Sequence, residues 1–547
     1  MKNYINKLFI GGLLVGMSLT TSSCGEDFLN TAPTSSTGAG DAIGTTTNAI
    51  KALNGIAKIM TTQQYYFGQG FAGENNIMAH YENYPSENYL FNLYASGWSP
   101  IHNQEFHSRT NSIYDAYAWY YYYTIIGNAN TIIVNIDNAD GTEAEKAFIK
   151  ASALTFRAYA FEKLVRYYCW RWQDSNNGAS QGLVLRLDES TGGMPYSTLA
   201  ETYAQIYKDL DDAISLYTQS GKDREAAQVW MPNINVAHAV YARAALTKQD
   251  YSKALSEAKL ARQNYPLMSN ADYHAGFCKP TGEWLFGSFG SAQENNWYFS
   301  YGVMFACNGY YASSQQTGAG AIGRELINRI PNNDARKALF LTEDKFPGYN
   351  FGDGSAMDLT YGVLGMGNNK PAADQLLEDA VDYCEKMAVS GLETPYKAGY
   401  IYLGGQLKFY VFDTPGVSYL PFIRSSEMVL IEAEANYFLN NESAAQDALV
   451  ELNKTSGRNP EYACTKTGSE LWNEIMDYRE LELWGEGFAW SDYKRWNRPV
   501  VRKGFKDGGN AHISIAKTIP ADGANKWTWD VPLAETDYND ELNLAGK

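Results

Sequence analysis

The 547-residue sequence predicts a mostly α-helical protein, in which a scaffold of tetratricopeptide-like helical repeats carries an irregular, loop-rich lobe with short strands. The first indication is a pair of long helical patterns, over 112–137 and 143–172, separated by a short polar turn. Two long helices joined in this way form an antiparallel hairpin. The first pattern carries aromatic residues on every face, so we expect it to be buried on several sides.

The second indication is a series of small residues in the next helical pair, which we place at 198–218 and 235–264. A polar turn divides the latter pattern into two stretches. Small residues then recur at intervals of four, three and five, which is the spacing that lets neighbouring helices of a tetratricopeptide repeat interlock. A chance helical hairpin is the alternative. The residues are Ala254, Ala258, Ala261 and Pro266.

The third indication is the loss of helical period over 267–420, where Gly and aromatic residues dominate. We interpret this region as a second lobe inserted between helical repeats, with one minor helix near 372–389. Residues 400–403 and 407–412 are typical of short strands, and the two glycines between them suit a tight hairpin turn.

The chain begins with a segment that is typical of an exported lipoprotein. Residues 1–23 combine a basic start with an apolar run at 8–19 that is too short to span a bilayer as a stable helix, so we interpret them as a leader. Small residues precede Cys24, so we expect this cysteine to carry the lipid anchor. An ordinary secretory leader with an incidental cysteine is the alternative. The acidic residues that follow Cys24 resemble a signal for the cell surface.

These patterns divide the chain into five segments. They are the leader 1–23, the lipidated Cys and flexible tether 24–48, an N-terminal helical region 49–266 with a long loop system at 67–110, the irregular lobe 267–420, and a C-terminal helical repeat and tail 421–547.

The stretch 479–498 reaches Pro499 without a helix breaker, so we expect one continuous helix. Glu482 and Glu486 then lie on one face, and paired carboxylates beside aromatic rings are a feature of glycosidases. We favour a structural interpretation, in which these acids pair with Arg479 and Arg495.

Composition limits the classes of function. Loss of the leader removes two lysines and no acid, so the net charge of −17 becomes −19, which disfavours nucleic acid as a partner. Neither the cysteines nor the histidines show the spacing of a metal site, and no catalytic motif is present in the sequence. We therefore expect no cofactor, no metal and no enzymatic activity.

The positive signal is aromatic residues interleaved with amides in two non-helical regions, 65–104 and 284–311. Sugar rings pack their C–H faces on Trp and Tyr, and rigid rings lose little entropy on becoming a contact surface. Core packing within the loops is the alternative for any single residue. The candidate ligand-binding residues are Trp98, Asn75, Asn103, Trp284, Trp297, Tyr298 and Tyr301.

Several motifs together resemble the SusD/RagB family of Bacteroidetes surface nutrient-binding lipoproteins, over nearly the whole chain. They are Cys24 with Asp27-Phe28-Leu29, Leu154-x2-Arg157-Ala158-Tyr159, Ile423-Arg424-x2-Glu427-x2-Leu430 with Asn453, and Glu482-Leu483-x2-Glu486-Gly487 with Asp492-x2-Arg495-Trp496.

The resemblance implies about four tetratricopeptide-like helix pairs that support the irregular lobe. It also implies a partner, a SusC-like TonB-dependent outer-membrane transporter, over which the protein sits as a non-catalytic lid facing the cell exterior. The ligand would be an oligosaccharide or polysaccharide. The alternatives are a peptide-binding lid of the same family and, less favoured, a surface glycoside hydrolase that uses Glu482 and Glu486.

Overall fold

The computed structural model describes residues 43–63, 71–91, 97–290, 302, 305–309, 320–355, 358–362, 375–397, 400–413 and 416–544. Within these ranges the protein is mostly helical, as the sequence predicts. The helices are α1 Thr46–Ile59, α2 Gly73–Asn76, α3 Ser99–His102, α4 Ile113–Asn135, α5 Glu143–Tyr168, α6 Leu199–Ser220, α7 Ile234–Thr247, α8 Tyr251–Ala261, α9 Asn270–Tyr273, α10 Arg324–Arg329, α11 Gln375–Lys386, α12 Ser425–Phe438, α13 Glu442–Val450, α14 Gly468–Glu482, α15 Ala489–Trp496, α16 Leu533–Tyr538 and α17 Asp540–Leu544.

Capping residues fix where the long scaffold helices begin. Thr142 at the start of α5 accepts a hydrogen bond from the backbone N–H of Glu145, and the Glu145 carboxylate accepts one from the Thr142 backbone. Thr198 and Glu201 form the same capping box at the start of α6. Each box satisfies backbone N–H groups that have no partner within the helix, so both helices start at a defined residue.

The scaffold helices stack in chain order. α4 packs on α5, α5 on α6, α6 on α7 and α7 on α8, and α8 then packs against α12, which lies beyond the irregular region. Arg262 joins the two halves, because its guanidinium lies 2.5 Å from Glu432 and 2.6 Å from Glu451. The predicted interlocking residues Ala254 and Ala258 are fully buried between these helices. The helical repeat is therefore continuous across the inserted segment.

The strands form four separate antiparallel pairs, β1–β3, β2–β6, β4–β5 and β7–β8. They are β1 Tyr89–Leu90, β2 Trp284–Gly287, β3 Ala321–Ile322, β4 Thr360–Gly362, β5 Tyr400–Tyr402, β6 Pro421–Arg424, β7 Val500–Val501 and β8 Thr518–Ile519.

The predicted hairpin around Gly404 and Gly405 is wrong. β5 pairs with β4, and the following residues do not form a strand. Their backbone N–H groups bond elsewhere: Leu407 donates to the Leu339 carbonyl over 2.7 Å and Tyr410 to that of Gly276 over 2.8 Å. These long-range hydrogen bonds take the place of those that a hairpin would form.

The predicted loop system at 67–110 also contains a buried helix. α2 continues as a π-helical turn, Ile77–Asn83, and every residue of this turn is buried. The Gly, Asn and Pro residues around it are typical of a loop, so the composition of the stretch did not predict this helix. The buried apolar side chains of the described residues form one connected core, and those of this segment belong to it.

The predicted continuous helix at 479–498 is two helices. α14 ends at Glu482, and α15 begins at Ala489. Between them Gly485 and Gly487 adopt left-handed φ angles of +78° and +81°. A Cβ on Gly487 would lie 2.7 Å from the side chain of Met78, so this turn is packed directly against the segment that extends α2.

A buried ion-pair cluster holds the turn between α14 and α15. Arg424 at the end of β6 donates to Glu283 over 2.8 Å, to Glu482 over 2.8 Å and to Glu486 over 2.7 Å. Lys408 adds a second cation, 2.7 Å from Glu486. All five side chains are at most 3 % exposed. The cluster confirms the sequence prediction that Glu482 and Glu486 are structural and form ion pairs.

The predicted partners of the two acids are wrong. Arg479 donates instead to Asp492 over 2.6 Å, and Arg495 donates to the other oxygen of the same carboxylate over 2.8 Å. Burial alone would raise the pKa of Glu482, but the guanidinium groups around it, with Arg424 foremost, hold that pKa below its usual value. This carboxylate is therefore ionised throughout the neutral range.

Three histidines of the first half, His80, His102 and His107, are buried. Burial lowers the pKa of His107 to about 3, and the nearby Lys494 acts in the same direction. Its ring packs 4.2 Å from that of Trp529, and neither ring nitrogen has a hydrogen-bond partner among the described residues. The folded protein therefore holds this imidazole neutral.

None of the helices in the described part of the chain combines the length and the apolar character that crossing a membrane requires. The five cysteines of this part are all free thiols, and four of them are buried.

We expect Arg424→Met to lower the free energy of unfolding by about 3–5 kcal/mol, because it leaves three buried carboxylates short of a partner. Arg329→Met is the matched control, since Arg329 pairs with Asp477 at the surface and should cost less than about 1 kcal/mol. Denaturant titration of both variants measures the difference. Equal costs would show that the buried cluster does not hold the fold together.

We expect His107 to make the protein less stable in acid. Its pKa is about 3 when folded and 6.5 ordinarily, so the unfolded chain takes up the proton first, and stability is lost as pH falls below 6.5. By pH 4.5 the loss reaches about 2–3 kcal/mol. His107→Phe keeps a ring and removes the titration, so its unfolding free energy should fall less between pH 7 and 4.5. Identical pH slopes would contradict the assignment.

Candidate functional site

The candidate site is built around Trp98, a half-buried tryptophan immediately before α3. Its ring stacks on that of His80, with centroids 4.8 Å apart and planes 30° apart. Tyr84 and Tyr114 complete the support, at 5.8 Å and 6.3 Å. Trp98 therefore rests on a bed of three further rings.

The π-helical turn that follows α2 positions two of these rings. Tyr84 donates its backbone N–H to the carbonyl of Ala79, which widens the last turn and keeps His80 and Tyr84 side by side, 5.7 Å apart. Turns of this kind are rare and are frequent at functional sites. α3 starts directly after Trp98, and the ring of its last residue, His102, stacks on Tyr84 at 4.7 Å.

The C-terminal tail fixes this segment from behind. Arg502, just after β7, donates to the backbone carbonyls of Ser86 and His102 over 2.8 Å and 2.7 Å. Asn103 donates to the carbonyl of Ser514 over 3.0 Å and accepts from Arg502 over 3.3 Å. The segments on both sides of Trp98 are therefore held by hydrogen bonds to the C-terminal tail.

The support beneath Trp98 is electrically neutral at neutral pH. Burial lowers the pKa of His80 to about 3, and burial together with Arg502 lowers that of His102. A neutral aromatic bed offers stacking and C–H contacts to a ligand, and it carries no charge that would select ions. Among the described residues, no group of three or more His, Cys, Asp or Glu side chains could hold a metal ion.

The second aromatic region predicted from sequence meets the first one here. Phe305 packs edge-on against Tyr84 with centroids 5.6 Å apart, and against Tyr89 at 6.4 Å. Tyr89 in turn stacks on Trp484, in the turn between α14 and α15, at 4.9 Å. The candidate site is therefore in contact with the turn that Arg424 holds.

The structure places the predicted site residues in different environments. Trp98 and Asn103 lie in one loop, but the Asn103 amide is engaged with the tail. Asn75 is buried in α2 at 8 % exposure. Trp284 is 1 % exposed in β2, so the prediction that its ring contacts a ligand is wrong: the strand pairs with β6 and turns this ring into the core. Outside the described residues lie Trp297, Tyr298, Tyr301 and Cys24.

Sequence reasoning missed the residues beneath Trp98. His80 and Tyr84 are four apart, a spacing that places two side chains together on a helix, and this signal was available in the sequence. Tyr114 lies in the first turn of α4, two residues after the capping Ser112, and its sequence pattern indicates only that helix.

Glu482 and Glu486 do not form an accessible acid pair. They are 0 % and 3 % exposed, and their oxygens accept hydrogen bonds from Arg336, Arg424 and Lys408. A glycosidase needs one carboxyl group free to protonate the leaving group. The geometry of this pair therefore argues against the hydrolase alternative.

Solved structures with the same fold include three from Bacteroides. A SusD-like carbohydrate binding protein from Bacteroides vulgatus ATCC 8482 is 20% identical, with a TM-score of 0.70 over 91% of this chain and 97% of that one. A SusD superfamily protein from the same organism is 21% identical, with a TM-score of 0.67 over 91% and 98%. Another from Bacteroides thetaiotaomicron VPI-5482 is 20% identical, with a TM-score of 0.65 over 91% and 99%.

Two family models account for most of the chain. The model described as "Starch-binding associating with outer membrane" matches residues 49–246, and the model of the SusD family matches residues 248–543. A search of the curated proteins gave no match. Since the second model alone spans more than half of the sequence, this chain belongs to the SusD family.

Proposed function

We propose that this protein binds oligosaccharide or polysaccharide at the outer membrane and delivers it to a SusC-like TonB-dependent transporter, over which it acts as a non-catalytic lid. Family membership supports the class of function, because one matching model is described as starch-binding and associated with the outer membrane. The observation that carries the ligand assignment is the half-buried Trp98, stacked on His80.

The physical argument is preorganisation. Stacking of a sugar ring on an indole contributes more binding free energy when the indole loses little conformational freedom on binding. Here the rings of His80, Tyr84 and Tyr114 already hold Trp98 in place. A neutral bed also suits a ligand that presents C–H faces and hydroxyl groups.

The proposed binding surface extends beyond Trp98 into the second aromatic region. Phe305, which belongs to 284–311, packs against Tyr84 beneath the site. Trp297, Tyr298 and Tyr301 remain proposed ligand contacts on the basis of their composition and their proximity to Phe305 in the sequence. Asn75 and Trp284 are dropped because they are buried.

The proposed attachment and orientation rest on the sequence. Cys24 would carry the lipid anchor, and residues 24–48 would form the tether that lifts the protein from the outer membrane toward the cell exterior. Hinged closure over the transporter would then commit a captured glycan to import. The loop system 67–110 and the irregular lobe 267–420 would face the ligand, while the helical repeats of 49–266 and 421–547 would act as the scaffold.

We expect Trp98→Ala to weaken binding of a retained polysaccharide by about fivefold or more, the equivalent of at least about 1 kcal/mol from one stacking ring. Affinity electrophoresis on starch, xylan, pectin, arabinogalactan, α-mannan and mucin glycans measures retention. Trp472→Ala is the matched control, since Trp472 is also half-buried but stacks on Tyr437, outside both aromatic regions.

The outcomes separate the alternatives. Equal retention of the Trp98→Ala and control variants would contradict the site. Retention on none of the glycans, with binding of peptides from a random library that Trp98→Ala abolishes, would favour the peptide-binding alternative. Recovery of the bound polysaccharide in shortened form would contradict a non-catalytic lid.

A further inference from the structure

Trp170 is the one tryptophan, among the twelve that the structure describes, whose side chain is exposed, at 44 %. It lies just after the end of α5, where the chain leaves the helix in an extended conformation. A lone exposed apolar residue needs no explanation in general. The surroundings of Trp170, however, have the chemistry of a binding site.

Trp170 lies at the rim of a groove of about 440 Å³. The groove is formed where the end of α5 meets the segment before α16. Its walls combine a phenol ring, an amide, a hydroxyl, an ammonium and a carboxylate. The residues are Tyr168, Gln181, Lys526, Thr528 and Asp530.

The segment that carries the ammonium has an unusual backbone. Lys526 and Trp527 both adopt left-handed φ angles, +53° and +57°, which are costly for residues with a Cβ. This conformation places the Lys526 ammonium over the Trp170 ring, 4.5 Å from its centroid. Backbone strain of this kind, here at two consecutive residues, concentrates at binding sites.

The groove is connected to the candidate site through the turn that extends α2. Trp529, which lines the groove, packs 4.3 Å from Tyr81. The next residue back along the chain, His80, is the one that supports Trp98. The groove and the Trp98 surface are therefore served by neighbouring side chains of one buried segment.

We propose that this groove is a second sugar-binding site, in which Trp170 stacks on a pyranose ring and the polar walls bind its hydroxyl groups. The Gln181 amide can both donate and accept hydrogen bonds, Asp530 accepts them and Lys526 donates them. This inference rests on the proposed function, since it assumes a glycan ligand. Two contact points on one polysaccharide raise its retention without any change at the first site.

The test uses Trp170→Ala and Gln181→Ala in the full protein, by affinity electrophoresis on starch, xylan, pectin, arabinogalactan, α-mannan and mucin glycans. Both side chains are exposed, so neither change should alter thermal unfolding. We expect Trp170→Ala to weaken retention on a bound polysaccharide by about fivefold or more, and Gln181→Ala to weaken it by a smaller factor. Trp170→Tyr, which restores a ring, should recover part of the loss. The double variant Trp98→Ala/Trp170→Ala should bind less than either single variant.

The possible failures can be told apart. If Trp98→Ala weakens retention and Trp170→Ala leaves it unchanged, the groove is not a sugar site, and the proposed function stands. If Trp170→Tyr binds no better than Trp170→Ala, ring stacking is not the cause, and the proposal is overturned. If the wild-type protein is retained on none of the six glycans, both proposals fall.

Discussion

The structure depends on the way in which Arg424 gathers three buried carboxylates. Glu283 immediately precedes β2, the strand that pairs with β6, whereas Glu482 ends α14 and Glu486 lies in the turn between α14 and α15. Charges removed from water are costly unless they are paired and hydrogen-bonded, so these segments are stable only together. The cluster thereby joins the irregular region to the end of the helical repeat.

The same turn supports the candidate site. Its Gly485 carbonyl accepts a hydrogen bond from the Asn83 side chain over 2.9 Å, and Ser491 in α15 donates its backbone N–H to Glu82 over 3.0 Å. Asn83 and Glu82 lie in the π-helical turn that also carries His80. Buried polar contacts therefore lead from Arg424 to the π-helical segment whose His80 ring lies beneath Trp98. These contacts would hold the candidate site in the fixed conformation that the proposed stacking requires.

Periodicity predicted the scaffold well because it records burial over many residues. The patterns at 112–137 and 143–172 correspond closely to Ile113–Asn135 and Glu143–Tyr168. Local reasoning failed where distant residues decide the outcome. Nothing near Glu482 in sequence indicates that Arg424 is its partner, and the left-handed turn at Gly485 and Gly487 depends on packing against other segments.

The candidate site was only partly predictable for the same reason. A mixture of aromatics and amides is found in binding loops and in buried strands alike, so it selected Trp98 and Trp284 equally, and only the pairing of β2 with β6 separates them.

The most direct test of the proposed binding site is a crystal structure of the protein with an oligosaccharide cut from a retained polysaccharide. We expect electron density for a sugar ring parallel to the Trp98 indole, with His80 stacked on its other side. A bound sugar that leaves Trp98 without contact would contradict the account.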